Sequence, residues 1–170
     1  MKGIPSDYYV RMHAVEERHW WHRGMREVEL ALLRPRLRPG ARLLDGGCGT
    51  GGFLRFLLDR GAIGSAAGID LSPEAIELAR ERVPEADLGV GSVTELPFED
   101  ETFDAAVLND VLQHVPSERL PASVGELRSV GGIGEKCDRV GTCARQRADT
   151  SNDLVGCAVE LTAEFRGELA

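Results

Sequence analysis

The stretch Leu43-Leu44-Asp45-Gly46-Gly47-Cys48-Gly49-Thr50-Gly51-Gly52-Phe53 constrains this chain more than any other. An apolar run ends in a carboxylate, a glycine cluster follows at once, and an apolar-periodic segment opens at Phe53. That order is buried strand, tight turn, helix start. Without a Cβ the glycine backbone turns sharply and comes against a ligand. The first N–H groups of the following helix lack intrahelical partners and favour a polar or anionic group. A nucleotide-like cofactor is the expected occupant.

Upstream, residues 6–35 read as helical, with Tyr8, Met12, Val15 and His19, then Met25, Val28 and Leu32, at three- and four-residue spacing. Pro35 and Pro39-Gly40 close that region. Arg42 to Asp45 is the first strand and Phe53 to Arg60 the first helix of the next unit, with Gly61 at its C-cap. Ala66 to Leu71 is a second strand. Ser72-Pro73-Glu74 then opens a helix with serine at the N-cap, proline at the first position and an acid in the first turn. Ile76, Leu78, Ala79 and Val83 are its apolar positions, and Pro84 stops it. Asp87 to Val90 is a third strand. Phe103 to Leu108 is a fourth, whose continuous apolar run predicts cover on both faces. Helices are expected from about Val111 and over Ser117 to Arg128. The β-α-β-α-β-β-α order predicts an α/β fold, a doubly wound, Rossmann-like parallel sheet with helices on both faces and its ligand at the strand C-terminal ends.

At 170 residues the chain has the length of one domain with a proper core. A net charge of −8 argues against a general nucleic-acid binder, which needs a basic face. No stretch has the length of a membrane span. The N-terminus lacks the apolar run of a signal peptide, so a cytoplasmic location is expected. Cys48, Cys137, Cys143 and Cys157 form no CxxC pair and have no histidine at zinc spacing, so reduced thiols and no metal site are expected. The acidic run Glu99-Asp100-Glu101 reads as a solvated loop.

Two cofactors compete for the glycine loop. Gly47-Cys48-Gly49-Thr50-Gly51-Gly52 matches GxGxxG with Asp70 about twenty residues on, the nicotinamide-dinucleotide fingerprint. Asp45 speaks against it, because a carboxylate just ahead of the glycines repels a pyrophosphate. A cofactor with a cationic amino group welcomes that carboxylate. S-adenosylmethionine has such a group, carries no phosphate, and offers two ribose hydroxyls that Asp70 can bind together.

At this point the chain resembles a family. Asp45-Gly46-Gly47-Cys48-Gly49-Thr50-Gly51 is similar to the DxGCGTG signature of class I S-adenosylmethionine-dependent methyltransferases, of the methyltransferase type 11-like kind. Gly68-Ile69-Asp70-Leu71-Ser72-Pro73 resembles their second-strand motif, and Gly91-Ser92-Val93-Thr94-Glu95-Leu96-Pro97-Phe98 their "GDAxxLPF" segment. Phe103-Asp104-Ala105-Ala106-Val107 through Val111-Leu112-Gln113-His114-Val115 resembles "FDxVxxxxVLEHV". Trp20-Trp21-His22-Arg23-Gly24-Met25-Arg26 is similar to the "HWWFRGRR" leader of some bacterial members, which often act in pathways for surface glycans, lipids or secondary metabolites.

The resemblance implies methyl transfer to a small-molecule acceptor and assigns roles by position. Asp45 would hold the methionine amino group. Gly47, Cys48, Gly49 and Gly51 would bring backbone to the methionine moiety. Asp70 would bind the ribose hydroxyls and Leu71 would pack on the adenine, with Ser92 and Val93 at its edge. Asn109 would flank the methionine part. His114 is the candidate general base, with a structural role as its alternative. Trp20, Trp21 and Arg23 would form a lid over cofactor or acceptor, with packing of the aromatic pair on the sheet as the alternative; His19 and His22 are expected at the surface. Ser92 stands where the family usually has aspartate, and Gln113 where glutamate is common.

The pattern divides the chain into an N-terminal helical cap over 1–40, a cofactor-binding domain over 41–128 and an atypical tail over 129–170. After Glu126-Leu127-Arg128 the family continues with "RVLRPGG", a fifth strand and an antiparallel pair. Here Ser129-Val130-Gly131-Gly132 matches only a compressed form of that turn. The tail offers elements only over Leu154 to Val159 and Leu161 to Leu169. A truncated or frame-shifted reading frame is therefore expected, with an open sheet edge available for self-association. A non-catalytic remnant that binds cofactor or a partner is the alternative function, and a nicotinamide-dependent oxidoreductase a third.

Overall fold

A computed structural model describes residues 7–131 and, beyond them, the backbone of two short strands at 142–143 and 159–160. The N-terminal region is two helices, α1 (Tyr8–Val15) and α2 (Trp20–Leu33), with a 3-10 turn at Arg34–Arg36. One continuous helical stretch was the expectation. The chain breaks because Glu16 is drawn into the interior and His19 takes extended backbone at φ −70° and ψ 125°.

Then follow β1 (Arg42–Gly46), α3 (Gly52–Asp59), β2 (Ser65–Asp70), α4 (Pro73–Arg82), β3 (Asp87–Val90), β4 (Ala105–Val107) and α5 (Leu120–Val130). The four strands are parallel, in the order β3-β2-β1-β4. Leu43 and Leu44 explain why helices lie on both faces. Adjacent strand residues point to opposite sides, and both leucines are fully buried. Leu43 packs with Leu54, Leu57, Ile76 and Val83 of α3, α4 and the turn after α4. Leu44 packs with Phe103, Leu108, Leu127 and Val130 on the α5 side. The start of α4 follows its sequence cues: Ser72 Oγ accepts from the Ala75 N–H at 3.2 Å, and Pro73 fills the first position.

Two elements differ from expectation. The fourth strand was expected over Phe103 to Leu108, buried on both faces, but pairs only over Ala105–Val107, all three half-buried. It is an edge strand among the described residues. Phe103 and Leu108 are buried beside it in the α5-side core rather than in the ladder. The helix expected from Val111 is only a 3-10 turn, Leu112–His114, followed by another at Ser117–Arg119. Pro116 disfavours helical backbone at the residue before it, and Val115 is extended at ψ 131°.

The short strands β5 (Thr142–Cys143) and β6 (Val159–Glu160) pair antiparallel. Most of the expected elements over 154–159 and 161–169 lies outside the described residues. No helix among the described residues is long and apolar enough to cross a membrane.

The strand order places the site. From β1 the chain steps to β2 and β3 on one side, then crosses to β4 on the other. A crevice opens at such a switch point, beyond the carboxyl ends of the strands. Asp45 is the penultimate residue of β1 there, Asp70 ends β2, and Asn109 follows β4.

Candidate cofactor site

The glycine loop is shaped by its packing as much as by its turn. Gly47, Gly49 and Gly51 all have left-handed backbone, at φ +78°, +53° and +76°. A Cβ on Gly47 would overlap the Val111 side chain, and one on Gly51 would press on Ala79 of α4 and Val83 just after it. The loop is pinned to β2 by the Gly47 and Cys48 N–H groups, which donate to the Ile69 carbonyl at 2.7 and 2.9 Å. The Cys48 thiol is buried against Gly68 and pushed well above its ordinary range, chiefly by that burial.

Above the strand ends lies a cavity of about 740 Å³, within the range of about 300–1,000 Å³ typical of small-ligand and cofactor sites. Its floor includes Asp45, Gly47, Gly49 and Asp70, and its roof is the N-terminal cap, through Tyr9 and Met12 of α1 and Trp21, Met25 and Glu29 of α2. Asp45 is 2% exposed, and its Oδ1 has no hydrogen-bond partner. Burial, with a contribution from the Asp70 charge, pushes its carboxyl up to about 7. Asn109 Nδ2 is likewise buried without a partner. A buried polar group left unpaired is costly, so a bare acceptor and a bare donor in one cavity describe what would complete them. The complement is a group with a cation at one point and an acceptor at another, as in the amino-acid end of S-adenosylmethionine.

Asp70 is already engaged. Its Oδ2 accepts from the Gly49 N–H at 3.1 Å and its Oδ1 from the Ser72 N–H at 2.9 Å. These bonds fix the carboxylate at the cavity wall and leave it further lone pairs. The Tyr9 hydroxyl lies beside Ser72 and Asp70, and its pKa rises to about 12, first through burial and then through the Asp70 charge. Leu71, 56% exposed, offers a bare apolar face to the cavity. Ser92 and Val93 line it too. Ser92 Oγ lies 2.9 Å from Thr94 Oγ1 and accepts from the Thr94 N–H at 3.2 Å, so its hydroxyl is turned onto its own loop.

Gly51 does not line the cavity; it caps α3 and lets α4 approach. His114 lines the cavity at its exposed mouth, with its Nε2 3.4 Å from Gln113 Nε2. Of the three expected lid residues only Trp21 lines the cavity. Trp20 is 75% exposed and Arg23 is on the outer face of α2. His19 is exposed as expected, whereas His22 is half-buried and lines the cavity, its pKa lowered chiefly by desolvation.

Two groups of residues at the site were not singled out from sequence. Glu29 lines the cavity from α2, its carboxyl pushed up to about 8 by burial and then by the nearby Asp45 and Asp110 charges. Its signal was present: Trp21, Met25 and Glu29 recur every four residues, one helix stripe. The second group is a buried ionic network. Glu16 accepts from Arg26 at 3.1 Å and contacts Arg82 and the Thr50 hydroxyl; Arg82 also donates to the Thr50 carbonyl at 3.1 Å and the His13 carbonyl at 2.8 Å. It joins α1, α2, the glycine loop and α4 across sequence separations that local spacing does not reveal.

The comparisons with known proteins agree with this fold. Residues 43–131 match the family model described as a methyltransferase domain. The chain belongs to that family, the class I S-adenosylmethionine-dependent methyltransferases. It is 31% identical over 134 residues to a demethylmenaquinone methyltransferase of Symbiobacterium thermophilum, covering 74% of this chain and 51% of that protein. The crystal structure of the PH0226 protein from Pyrococcus horikoshii OT3 superimposes with a TM-score of 0.64 at 30% identity, over 75% of this chain and 61% of that one. The S-adenosylmethionine-bound structure of CalS10, an amino pentose methyltransferase from Micromonospora echinaspora, gives a TM-score of 0.58 at 25% identity, over 75% and 52%. The chain thus spans about half the length of the curated relatives it matches.

Proposed function

We propose that this chain binds S-adenosylmethionine in the cavity above β1, β2 and β4 and transfers its methyl group to a small-molecule acceptor. The observation that carries the reading is that one cavity holds both the buried, unpartnered Oδ1 of Asp45 and the buried, unpartnered Nδ2 of Asn109. Asp45 takes the cofactor's amino group and Asn109 its carboxylate. Asp70 receives the ribose hydroxyls on its remaining lone pairs, and Leu71 and Val93 hold the adenine between apolar surfaces. Gly47 and Gly49 keep the floor flat beneath the methionine part. A dinucleotide reads less well, because its pyrophosphate would lie against the Asp45 charge.

When bound, this cofactor supplies a methyl group on a positively charged sulfur, open to in-line attack. The protein's part is then to align the acceptor and exclude water. The roof of Tyr9, Met12, Trp21 and Met25 does both. A base is needed only for a poorly acidic acceptor, and His114 at the cavity mouth is placed for that work. The relatives act on chemically unlike acceptors, a quinone precursor and an amino pentose by their names, so the acceptor is read no further than a small molecule that enters past His114.

The test is calorimetric titration of the chain with S-adenosylhomocysteine and, in parallel, NADH. Saturable binding of the first and none of the second is expected. NADH binding without S-adenosylhomocysteine binding would overturn the reading. Conversion of S-adenosylmethionine to S-adenosylhomocysteine over a panel of quinol, amine and hydroxyl acceptors then reads the transfer itself.

A further inference from the structure

Besides Asp45 and Asp70, which the family signature accounts for, the carboxylates of Glu16, Glu29 and Asp110 line the cavity. Asp45 lines it from β1 and Glu29 from α2, and the Asp45 charge opposes the ionisation of Glu29. Asp110, whose left-handed backbone at φ +56° turns the chain after β4, contributes a further charge that opposes the ionisation of Glu29. Arg26, also on α2, is shared: its charge favours the ionised form of Glu29 while its guanidinium pairs with Glu16 at 3.1 Å. The Asp45 Oδ1 atom, buried and without a partner, faces this concentration of negative charge. Neighbouring carboxylates in one cavity are disfavoured as a doubly ionised pair until a proton or a cation joins them.

We infer that Glu29 is a second carboxylate for the cofactor's amino group, closing over it from the cap opposite Asp45. The inference rests on the S-adenosylmethionine reading above. It makes α2 part of the binding machinery rather than a cover, since one cation would bridge the cap and the sheet. It also gives the site a proton to release. Asp45 titrates at about 7 and Glu29 at about 8, so near neutrality the empty cavity holds protons on this pair. A bound ammonium favours both ionised forms and drives those protons to solvent. The other groups facing the pair are Asp70 at the end of β2, Asp110 after β4, and Arg26 and His22 on α2 itself. Tyr9, raised to about 12, is neutral throughout this range.

Two probes separate the amino-acid end from the nucleoside end: S-adenosylhomocysteine carries the amino group, and 5′-methylthioadenosine lacks it. Glu29→Gln is expected to weaken S-adenosylhomocysteine about tenfold, the scale of one charge-assisted hydrogen bond, and to leave 5′-methylthioadenosine unchanged. Equal affinity of wild type and variant for S-adenosylhomocysteine overturns the inference, as does a parallel loss of both probes. Should Glu29→Gln fail to fold, the wild-type chain decides. At pH 8 Asp45 is already ionised, so calorimetry in two buffers of different ionisation enthalpy must show proton release with S-adenosylhomocysteine and none with 5′-methylthioadenosine. Absence of release overturns the assignment of Glu29. Failure of the wild type to bind either probe overturns the cofactor reading itself, a distinct result.

Discussion

Asp45 is a carboxylate that the fold holds at its own expense. Its pKa rises from an ordinary 3.8 to about 7, mainly by burial. The folded chain therefore keeps a proton that the unfolded chain releases between those values. The stability of the cofactor-free protein falls as pH rises from about 4 to about 7, and the loss is complete above that. Asp45→Asn is expected to raise stability at pH 8 by about 1–3 kcal/mol and to give no gain below pH 4, read by urea unfolding at both. The same substitution should weaken S-adenosylhomocysteine, as befits a site that trades stability for function. Gly47 shows the opposite case. With φ at +78° and the Val111 side chain where a Cβ would stand, Gly47→Ala should destabilise the fold by about 1–3 kcal/mol. A change under half that amount would mean that Val111 yields freely.

At the scale of elements, α2 carries both a weakness and a tether. Gly24 lies inside the helix with open space where its Cβ would be. Gly24→Ala should therefore stabilise the protein by about 0.5–1 kcal/mol, visible as a higher urea midpoint with an unchanged slope. The tether is Glu16, the common partner of Arg26 and Arg82, whose side chains are only 10% and 6% exposed. Removing one member of a buried pair strands the other charge, so Glu16→Ala should cost about 3–5 kcal/mol in the same assay. These elements also show what was legible in the sequence. Strands and helices with local signals, such as Ser72-Pro73-Glu74 and the Leu43-Leu44 run, fell within a residue or so of their observed bounds. The break at residues 16–19 was not legible, because its cause is a salt bridge to residues far along the chain. The short β4 was not legible either, because the composition of Phe103 to Leu108 does not say which residues pair and which pack. At the site, residues in the glycine loop and at strand ends could be named from their spacing, whereas the cap's contributions depend on how α2 lies over the sheet.

Across the whole molecule, the cap and the sheet meet through the cavity. None of α1's residues is buried. What holds α1 in place is the Glu16 network at its end and the contacts that its Tyr9 and Met12 make with Asp70 and Gly49 of the floor. An element with so little buried surface belongs to the low-stability end of a fold and opens without global unfolding. Its opening also uncovers the cavity, so a ligand that requires the closed roof must hold α1 shut. Arg11 and Arg18, on and just after α1, are exposed trypsin sites that report this opening. With S-adenosylhomocysteine at about a hundred times its Kd, the closed state gains about 2.7 kcal/mol. Where opening is fast relative to cleavage, proteolysis at these arginines should then slow by about a hundredfold. Saturation by S-adenosylhomocysteine with cleavage unchanged at both sites would mean that the ligand binds the sheet alone and that α1 is no part of its enclosure. Glu29→Gln should show an intermediate protection, because it removes the cap's own hold on the ligand while leaving the roof of Tyr9 and Met12 in place.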